Sequence, residues 1–465
     1  MARRRSNPFP VLVTVLAIPA VLLAVGWRVA AGHTVALPTA PPSGAVSPAL
    51  RTPLLSVRRA PATLSRDLNL RALVASVEGM FSTLSGSECG AVSVDGLPVA
   101  DVHAGAPLRP ASNVKLFTAA VALDELGPSY TFHTELRGSA SGGVVNGDLY
   151  MVGGGDPLLT SSWWHGSNPA YPPFNVTSIE SLAAQLKASG VTRISGSVVG
   201  DASRYDGEWY PPTWDKSIRF SEGGPVSALL ANDSREGPGT SSSDPSIGAA
   251  RVLTRALRDA GVEVVGAARK GVAPTGSAVL VSIDSKPLTA VIAEMLTTSD
   301  NNTAEMLLKE IGHHATGRGT REDGLATVMQ RLRAWNIPTD GVELHDGSGL
   351  SDDNRATCRA VLALLERHSP TDPIGAGLAV AGKKGGTLAD AFTSSTLAGR
   401  LLGKTGTLYN YNDGAGGKPG AKALSGYVPL DGGGAIAFSL LLNGPTIAEK
   451  NQYTPCLLYT SDAAD

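Results

Sequence analysis

Strand-like segments stand near both ends of the chain with long helical stretches between them, and this arrangement constrains the fold most. Short apolar runs at Cys89–Val94 and Pro98–His103 flank Asp95-Gly96, a dipeptide typical of β-hairpin turns. Three more such runs lie near the other end, at Leu401–Gly403, Ala423–Val428 and Ala435–Leu442. Because strands must pair to satisfy their backbone groups, the pattern predicts one antiparallel sheet assembled from both ends of the chain.

Apolar residues recur at helical spacing in the segments between these strands. The predicted helices span 66–84, 112–126, 288–296, 302–311, 321–335 and about 355–367. Helices that bury one apolar face against an antiparallel sheet give an α+β domain. The expected fold is therefore α+β, with helices on both sides of the sheet.

Residues 130–285 have a different character. Strand-like pieces alternate there with Gly turns, and two helices intervene, one of them opened by the capping box Thr177-Ser178-Ile179-Glu180. The strand-like pieces are Thr131–Leu136, Asp148–Val152, Arg193–Val199, Val262–Val265 and Val279–Ile283. This block is predicted to be an inserted α+β accessory domain, which divides the main domain into 66–129 and 286–455.

Both ends of the chain differ in composition from the rest. Residues 1–32 join Arg3-Arg4-Arg5 to an apolar run, which predicts export through either a cleaved signal peptide or an uncleaved membrane anchor. The Pro-rich stretch 33–65 is expected to be an extended linker. Residues 456–465 resemble one reading frame of a sequencing-library adapter, so this suspected scar is left out of the fold argument.

Charge and cysteine content exclude several functions. A net charge of −2 argues against a general nucleic-acid-binding surface. The histidines show no metal-ligand spacing, and neither a metal nor another cofactor is expected. Outside the suspected scar, only Cys89 and Cys358 remain, either as a disulfide of an exported protein or as two free buried thiols.

Three short motifs carry the chemistry. In Ser112-Asn113-Val114-Lys115, a hydroxyl and an amine lie one helical turn apart, so a neutral Lys can act as base for the Ser. Ser299-Asp300-Asn301 offers a hydroxyl for proton relay and an amide for a substrate carbonyl, or it simply caps the next helix. Lys404-Thr405-Gly406-Thr407 suits a carboxylate, with Gly406 leaving room for a substrate backbone; alternatively, Lys404 is an exposed edge-strand lysine.

In this order, S-x-x-K, S-D-N and K-T-G form the signature shared by penicillin-binding proteins and class A β-lactamases. The first two motifs lie 187 residues apart, more than a β-lactamase allows, and residues 130–285 fill the gap. The chain thus resembles the low-molecular-mass class C penicillin-binding proteins of actinobacterial type, the D-Ala-D-Ala carboxypeptidase/endopeptidase family. Further stretches similar to that family are Gly147–Pro157, Ser299–Met306, Asp346–Ser351 and Leu424–Tyr427.

The resemblance implies a β-lactamase/transpeptidase-like catalytic domain and roles for the motif residues. Ser112 would be the acylated nucleophile, Lys115 its base, and Ser299 a proton-transfer group. Four residues would bind substrate: Asn301, Lys404, Thr405 and Thr407. The backbone N–H groups of Ser112 and Thr407 would form the oxyanion hole. Asp352 stands where the family often has Arg, which questions recognition of the peptide side chain.

The expected substrate class is peptidoglycan stem peptides, with β-lactam antibiotics as covalent inhibitors. Two alternatives stay open on the sequence alone. One is a β-lactamase-type hydrolase, against which the large insert and the missing deacylating Glu motif argue. The other is a non-catalytic cell-wall-binding protein, against which the three intact motifs argue. Carboxypeptidase and endopeptidase activity are not distinguished.

Overall fold

The computed structural model describes residues 71–77, 79, 87–166, 170–410, 419–431 and 433–444, all of which belong to one compact unit, Ala62–Asp465. The predicted leader, the predicted linker and the suspected scar at 456–465 lie outside these residues. Of the helix predicted over 66–84, residues 71–77 and 79 are described and helical. None of the helices in the described ranges is both long and apolar enough to cross a membrane.

Within the described ranges, and apart from the N-terminal helical segment, the structure has nineteen strands and eight α-helices. The strands are β1 Glu88–Val94, β2 Leu97–Val102, β3 His133–Arg137, β4 Ala140–Ser141, β5 Val144–Val145, β6 Leu149–Val152, β7 Leu159–Thr160, β8 Thr177–Ser178, β9 Arg193–Ile194, β10 Val198–Asp201, β11 Arg235–Gly237, β12 Thr240–Ser241, β13 Glu263–Val264, β14 Arg269–Lys270, β15 Val279–Asp284, β16 Ala379–Val380, β17 Leu402–Tyr409, β18 Pro419–Pro429 and β19 Ala435–Asn443. The helices are α1 Val114–Leu126, α2 Ile179–Ala188, α3 Pro245–Asp259, α4 Leu288–Thr298, α5 Asn301–Thr316, α6 Arg321–Ala334, α7 Cys358–Glu366 and α8 Pro373–Ala376.

The sheet predicted from both ends of the chain is confirmed. Six antiparallel strands lie in the order β16-β17-β18-β19-β1-β2, so the N-terminal hairpin pairs with the last described strand. The hairpin turn uses Asp95 and Gly96, both with positive φ. The late strands are longer than predicted, since alternating burial continues into β17 beyond Gly403.

Apolar side chains cover both faces of this sheet. One core joins α1, α4, α5, α6 and α7 to sheet residues that include Tyr427 and Ala437. The other joins Leu73 and Val77 of the N-terminal helical segment to Val92, Leu424 and Phe438. The expected α+β class, with helices on both sides of an antiparallel sheet, is confirmed.

The two cysteines form a disulfide that joins β1 to α7. Cys89 and Cys358 are both fully buried, with their Cα atoms 6.0 Å apart. Of the two alternatives left open by the sequence, the structure has the disulfide. It closes a loop of 269 residues that contains both the Ser112 and the Ser299 motifs.

Strands β3 to β15 form sheets of their own. The five-stranded sheet has the order β14-β10-β6-β3-β15 and the four-stranded sheet the order β13-β9-β5-β4; both pack against α2 and α3 in a separate apolar core. The single strand predicted over Arg193–Val199 is wrong, because β9 and β10 belong to different sheets. Asp148 explains the break: its Oδ1 accepts the Ser197 N–H at 2.8 Å, where the chain crosses between the sheets.

Candidate active site

Ser112 lies in a 3₁₀ turn, Ala111–Asn113, that leads directly into α1. Two glycines let neighbouring segments close on this turn. A Cβ on Gly349 would lie 1.9 Å from the carbonyl oxygen of Ala111, and one on Gly406 would lie 3.1 Å from the Ala111 Cβ. Gly406 was expected to make room for substrate backbone, whereas its bare face here contacts the nucleophile turn.

Lys115 is fully buried one helical turn after the half-buried Ser112. Its Nζ lies 3.0 Å from the Ser112 Oγ, 2.6 Å from the Asn301 Oδ1 and 2.7 Å from the Ser348 carbonyl oxygen. Three contacts fix the position of the amine against the hydroxyl. The geometry therefore suits proton transfer from Ser112 to Lys115.

Burial lowers the pKa of Lys115 from 10.5 to about 8, because a buried ammonium loses its hydration. Negative charge opposes this shift. The carboxylates that raise the pKa are Asp346, Asp300, Glu305 and Glu222. A lysine with a pKa near neutral pH has a substantial neutral fraction, as a general base requires.

Ser299 lies between α4 and α5 in the left-handed region, with φ 66° and ψ 33°. Asp300 is the N-cap of α5, and its side chain accepts the Thr303 N–H at 2.5 Å. The capping interpretation of this motif is therefore correct for Asp300. It leaves the flanking Ser299 and Asn301 side chains facing the cleft.

Lys404 is also fully buried, so the alternative of an exposed edge lysine is wrong. Its Nζ donates to the Ser299 Oγ at 2.8 Å and to the Thr405 carbonyl at 2.8 Å. Burial, together with the nearby charge of Lys115, lowers the pKa of Lys404 well below its usual value. In the part of the chain that the structure describes, no carboxylate raises it.

A cavity of about 540 Å³ brings five of the predicted residues together: Ser112, Ser299, Asn301, Thr405 and Thr407 all line it. The two remaining site residues, Lys115 and Lys404, lie behind its wall and reach the hydroxyls of Ser112 and Ser299. All seven predicted site residues therefore belong to one cluster.

Residues from the 130–285 block complete the cluster. The sequence did not predict this contribution. The Asn301 Nδ2 donates to the Glu222 carbonyl at 2.6 Å, and the Gly224 N–H donates to the Asn302 Oδ1 at 2.8 Å. Trp214 is buried and donates its indole N–H to the Asp346 Oδ2 at 2.8 Å. Backbone carbonyls leave no sequence signal, so Glu222 was not predictable.

Asp352 has a partner of its own. Its Oδ1 accepts from the Arg109 guanidinium at 3.1 Å, and the same guanidinium donates to the Asn410 Oδ1 and the Gly420 carbonyl. The family often has Arg at the position of Asp352. This chain has a carboxylate there, which pairs with Arg109 from another segment.

Comparisons with known proteins agree with this geometry. The sequence profile of the D-Ala-D-Ala carboxypeptidase 3 (S13) family matches residues 73–237 and 228–456. The chain is 30% identical to a D-alanyl-D-alanine carboxypeptidase of Actinomadura sp. over 78% of each protein. It is 29% identical to a carboxypeptidase of Mycolicibacterium smegmatis over 95% of each.

A solved structure supports the fold. Penicillin binding protein 4 of Haemophilus influenzae superimposes with a TM-score of 0.65 at 21% identity, covering 83% of this chain and 98% of that one. The order of the motifs, the cluster they form and the match along most of the chain lead to one conclusion: the chain belongs to the D-Ala-D-Ala carboxypeptidase 3 (S13) family.

Proposed function

We propose that this chain is a serine-type D-Ala-D-Ala carboxypeptidase that cleaves peptidoglycan stem peptides through an acyl-enzyme on Ser112. The observation that carries the proposal is the contact of Lys115 Nζ with the Ser112 Oγ at 3.0 Å, opposite a second buried lysine that reaches Ser299. Nucleophile, base and proton-transfer group thus meet around one cavity.

The reaction begins when neutral Lys115 takes the proton of the Ser112 hydroxyl. The Ser112 Oγ then bonds to the carbonyl carbon between the two D-Ala residues. Collapse of the tetrahedral intermediate breaks the C–N bond, and the leaving amine of the last D-Ala receives a proton through the Ser299 hydroxyl. Water hydrolyses the ester and restores Ser112.

Substrate binding uses the strand that faces Ser112. Lys404 supplies positive charge, and the Thr405 and Thr407 hydroxyls, which line the cavity, hydrogen-bond the terminal carboxylate. The backbone N–H groups of Ser112 and Thr407 hold the developing oxyanion. Asn301 keeps Lys115 in place and donates to the substrate when its amide leaves the Glu222 carbonyl.

β-Lactams enter the same site as substrate analogues. The Haemophilus penicillin binding protein 4 has a solved complex with a β-lactam. We extend that ligand class to this chain and assign the Ser112 Oγ as the acylated atom. A trapped ester would follow, because the opened lactam keeps its leaving amine tethered in the cleft.

Domain layout and location complete the proposal. As a peptidase of this family, the chain acts at the cell envelope. We assign export to residues 1–32, the linker to 33–65 and the catalytic domain to 66–129 and 286–455. The separate sheets of β3 to β15 support residues 130–285 as an inserted domain.

Digestion of purified muropeptides by the full-length chain tests the function. Monomeric pentapeptides should lose one D-Ala, and prior incubation with penicillin should prevent this; release of monomers from cross-linked dimers would add endopeptidase activity. Repeated turnover of nitrocefin without muropeptide cleavage would instead establish a β-lactamase-type hydrolase. Binding of cell wall without either reaction would establish a non-catalytic protein.

A further inference from the structure

Two buried carboxyl groups beneath the nucleophile have no part in the mechanism above. Glu305 lies on α5, four residues after Asn301, and Asp346 opens the Gly-rich loop 346–351. Both are at most 2% exposed. They bind the same loop from two sides, so together they determine its geometry.

Asp346 accepts four hydrogen bonds. Its Oδ1 takes the Gly349 N–H and the Asn354 amide, each at 2.8 Å. Its Oδ2 takes the Ser351 N–H at 2.6 Å and the Trp214 indole N–H at 2.8 Å. Every one of these contacts is a donor directed at a carboxyl oxygen, and two of the donors are backbone N–H groups of the loop itself.

Glu305 holds the next part of the loop. Its Oε1 accepts the Gly347 N–H at 3.0 Å and the Ser348 N–H at 2.8 Å. Burial and, to a lesser extent, the charge of Asp346 raise the pKa of Glu305 above its usual value.

The loop transmits this arrangement to the base. Ser348 links Glu305 to Lys115. Its N–H donates to Glu305, and its carbonyl oxygen accepts from Lys115 Nζ at 2.7 Å. Four carboxylates face Lys115: Asp346 on the loop, Asp300 and Glu305 at the start of α5, and Glu222 from the 130–285 block. Lys404 faces it from β17 as a second cation.

We propose that Glu305 and Asp346 are positioning residues for Lys115: together they hold the 346–351 loop so that the Ser348 carbonyl lies against the Lys115 amine. This rests on the proposed function, since it takes Lys115 as the base.

Glu305→Gln tests the positioning role. The Gln amide oxygen still accepts both loop N–H groups, so this variant keeps the hydrogen bonds that hold the loop. The second-order rate constant for penicillin acylation at pH 7 should therefore stay within about threefold of the parent.

Glu305→Ala and Asp346→Asn complete the set. The Ala variant removes the acceptor of two N–H groups, and the Asn variant places an NH₂ against a donor in either orientation. Both should lower acylation by about 30-fold or more, since buried donors are left without acceptors. Asp201→Asn is the matched control, because Asp201 is a buried carboxylate that accepts two backbone N–H groups within the 130–285 block.

Acylation of the parent at Ser112 is measured first, so failure of the proposed function appears as absence of that adduct. Thermal melting confirms folding of each variant, and Glu305→Gln decides the question even if the other two do not fold. A loss of about 30-fold or more at pH 7 in Glu305→Gln, whose amide oxygen keeps both hydrogen bonds, would overturn the inference. So would acylation by Glu305→Ala at the rate of the parent.

Discussion

The two lysines of the site are equally buried but lie in opposite electrostatic surroundings. Around Lys115, four carboxylates partly offset the loss of hydration, and its pKa is about 8. Around Lys404, the described residues supply only the like charge of Lys115, and its pKa is well below its ordinary value. The chain itself thus balances the charge at one lysine and not at the other.

This difference gives each lysine a task. A lysine held at a pKa near 8 exchanges its proton with a hydroxyl at physiological pH. A buried ammonium has lost its hydration. Without a carboxylate partner in the protein, it gains most from an anion that arrives with the substrate, because attraction between the opposite charges compensates for that loss. Among the described residues, no carboxylate offsets the burial of Lys404, which supports the carboxylate-binding role. The following variants test the contrast.

Lys115→Met should have the greatest effect. It removes the base while keeping an apolar chain of similar length, and general-base catalysis contributes about 10²- to 10⁴-fold. The rate of Ser112 acylation should fall by that factor for peptides and penicillins alike. Stopped-flow measurements with a fluorescent penicillin give this rate, and an unchanged value would show that another group takes the proton.

Lys404→Met should discriminate between substrates. A hydrogen bond to a charged group contributes about 1.5–3 kcal/mol, so cleavage of a peptide ending in a free D-Ala carboxylate should fall about 10- to 100-fold. The matching C-terminal amide controls for the lost contact to Ser299, and its slower cleavage should change much less. Equal losses on both peptides would remove the carboxylate role and leave Lys404 as a partner of Ser299.

The pH dependence of acylation tests the pKa of Lys115 without mutation. Neutral Lys115 is the active form, and its pKa is about 8, so the acylation rate should rise with pH through that region. The carboxylates around Lys115 set this position. Rate constants measured from pH 5.5 to 9.5 on penicillin, with enzyme integrity checked at each pH, would contradict the account if they fell over this range.

Trp214→Phe should have the smallest effect. It removes one of four hydrogen bonds to Asp346, two contacts away from Lys115, and keeps an aromatic ring in the packing. Acylation should fall by about 3- to 10-fold, less than the full value of a hydrogen bond to a charge. Trp335→Phe is the control, because Trp335 stacks on Arg367 away from the cavity; equal losses in both variants would indicate general destabilisation.

The site was largely predictable because its side chains occur in short motifs, whereas their supports do not. The roles of Ser112, Lys115 and Ser299 followed from the family resemblance that the three motifs carry together. The antiparallel sheet followed from the short apolar runs near both ends of the chain. The full burial of Lys404 was missed, since strand pattern alone cannot show that Ser299 covers its amine.

The supporting groups depend on tertiary contact. Ser348 and Glu222 act through backbone carbonyls, which every residue has, so no residue type marks them. Gly406 was expected beside substrate backbone, but a Cβ there would meet the Ala111 turn. The sequence does not show this approach, because it depends on tertiary packing. Asp346 and Glu305 were within quoted motifs, but their shared loop appears only in three dimensions.

Intact-mass analysis after incubation with a penicillin tests the central claim, acylation of Ser112, most directly. The full-length chain should gain the mass of one penicillin, and peptide mapping should place the adduct on the peptide that contains Ser112. Ser112→Ala, with unchanged thermal melting, should gain no mass and cleave no D-Ala-D-Ala peptide. An adduct that persists in Ser112→Ala, or maps to another residue of the parent, would contradict the account.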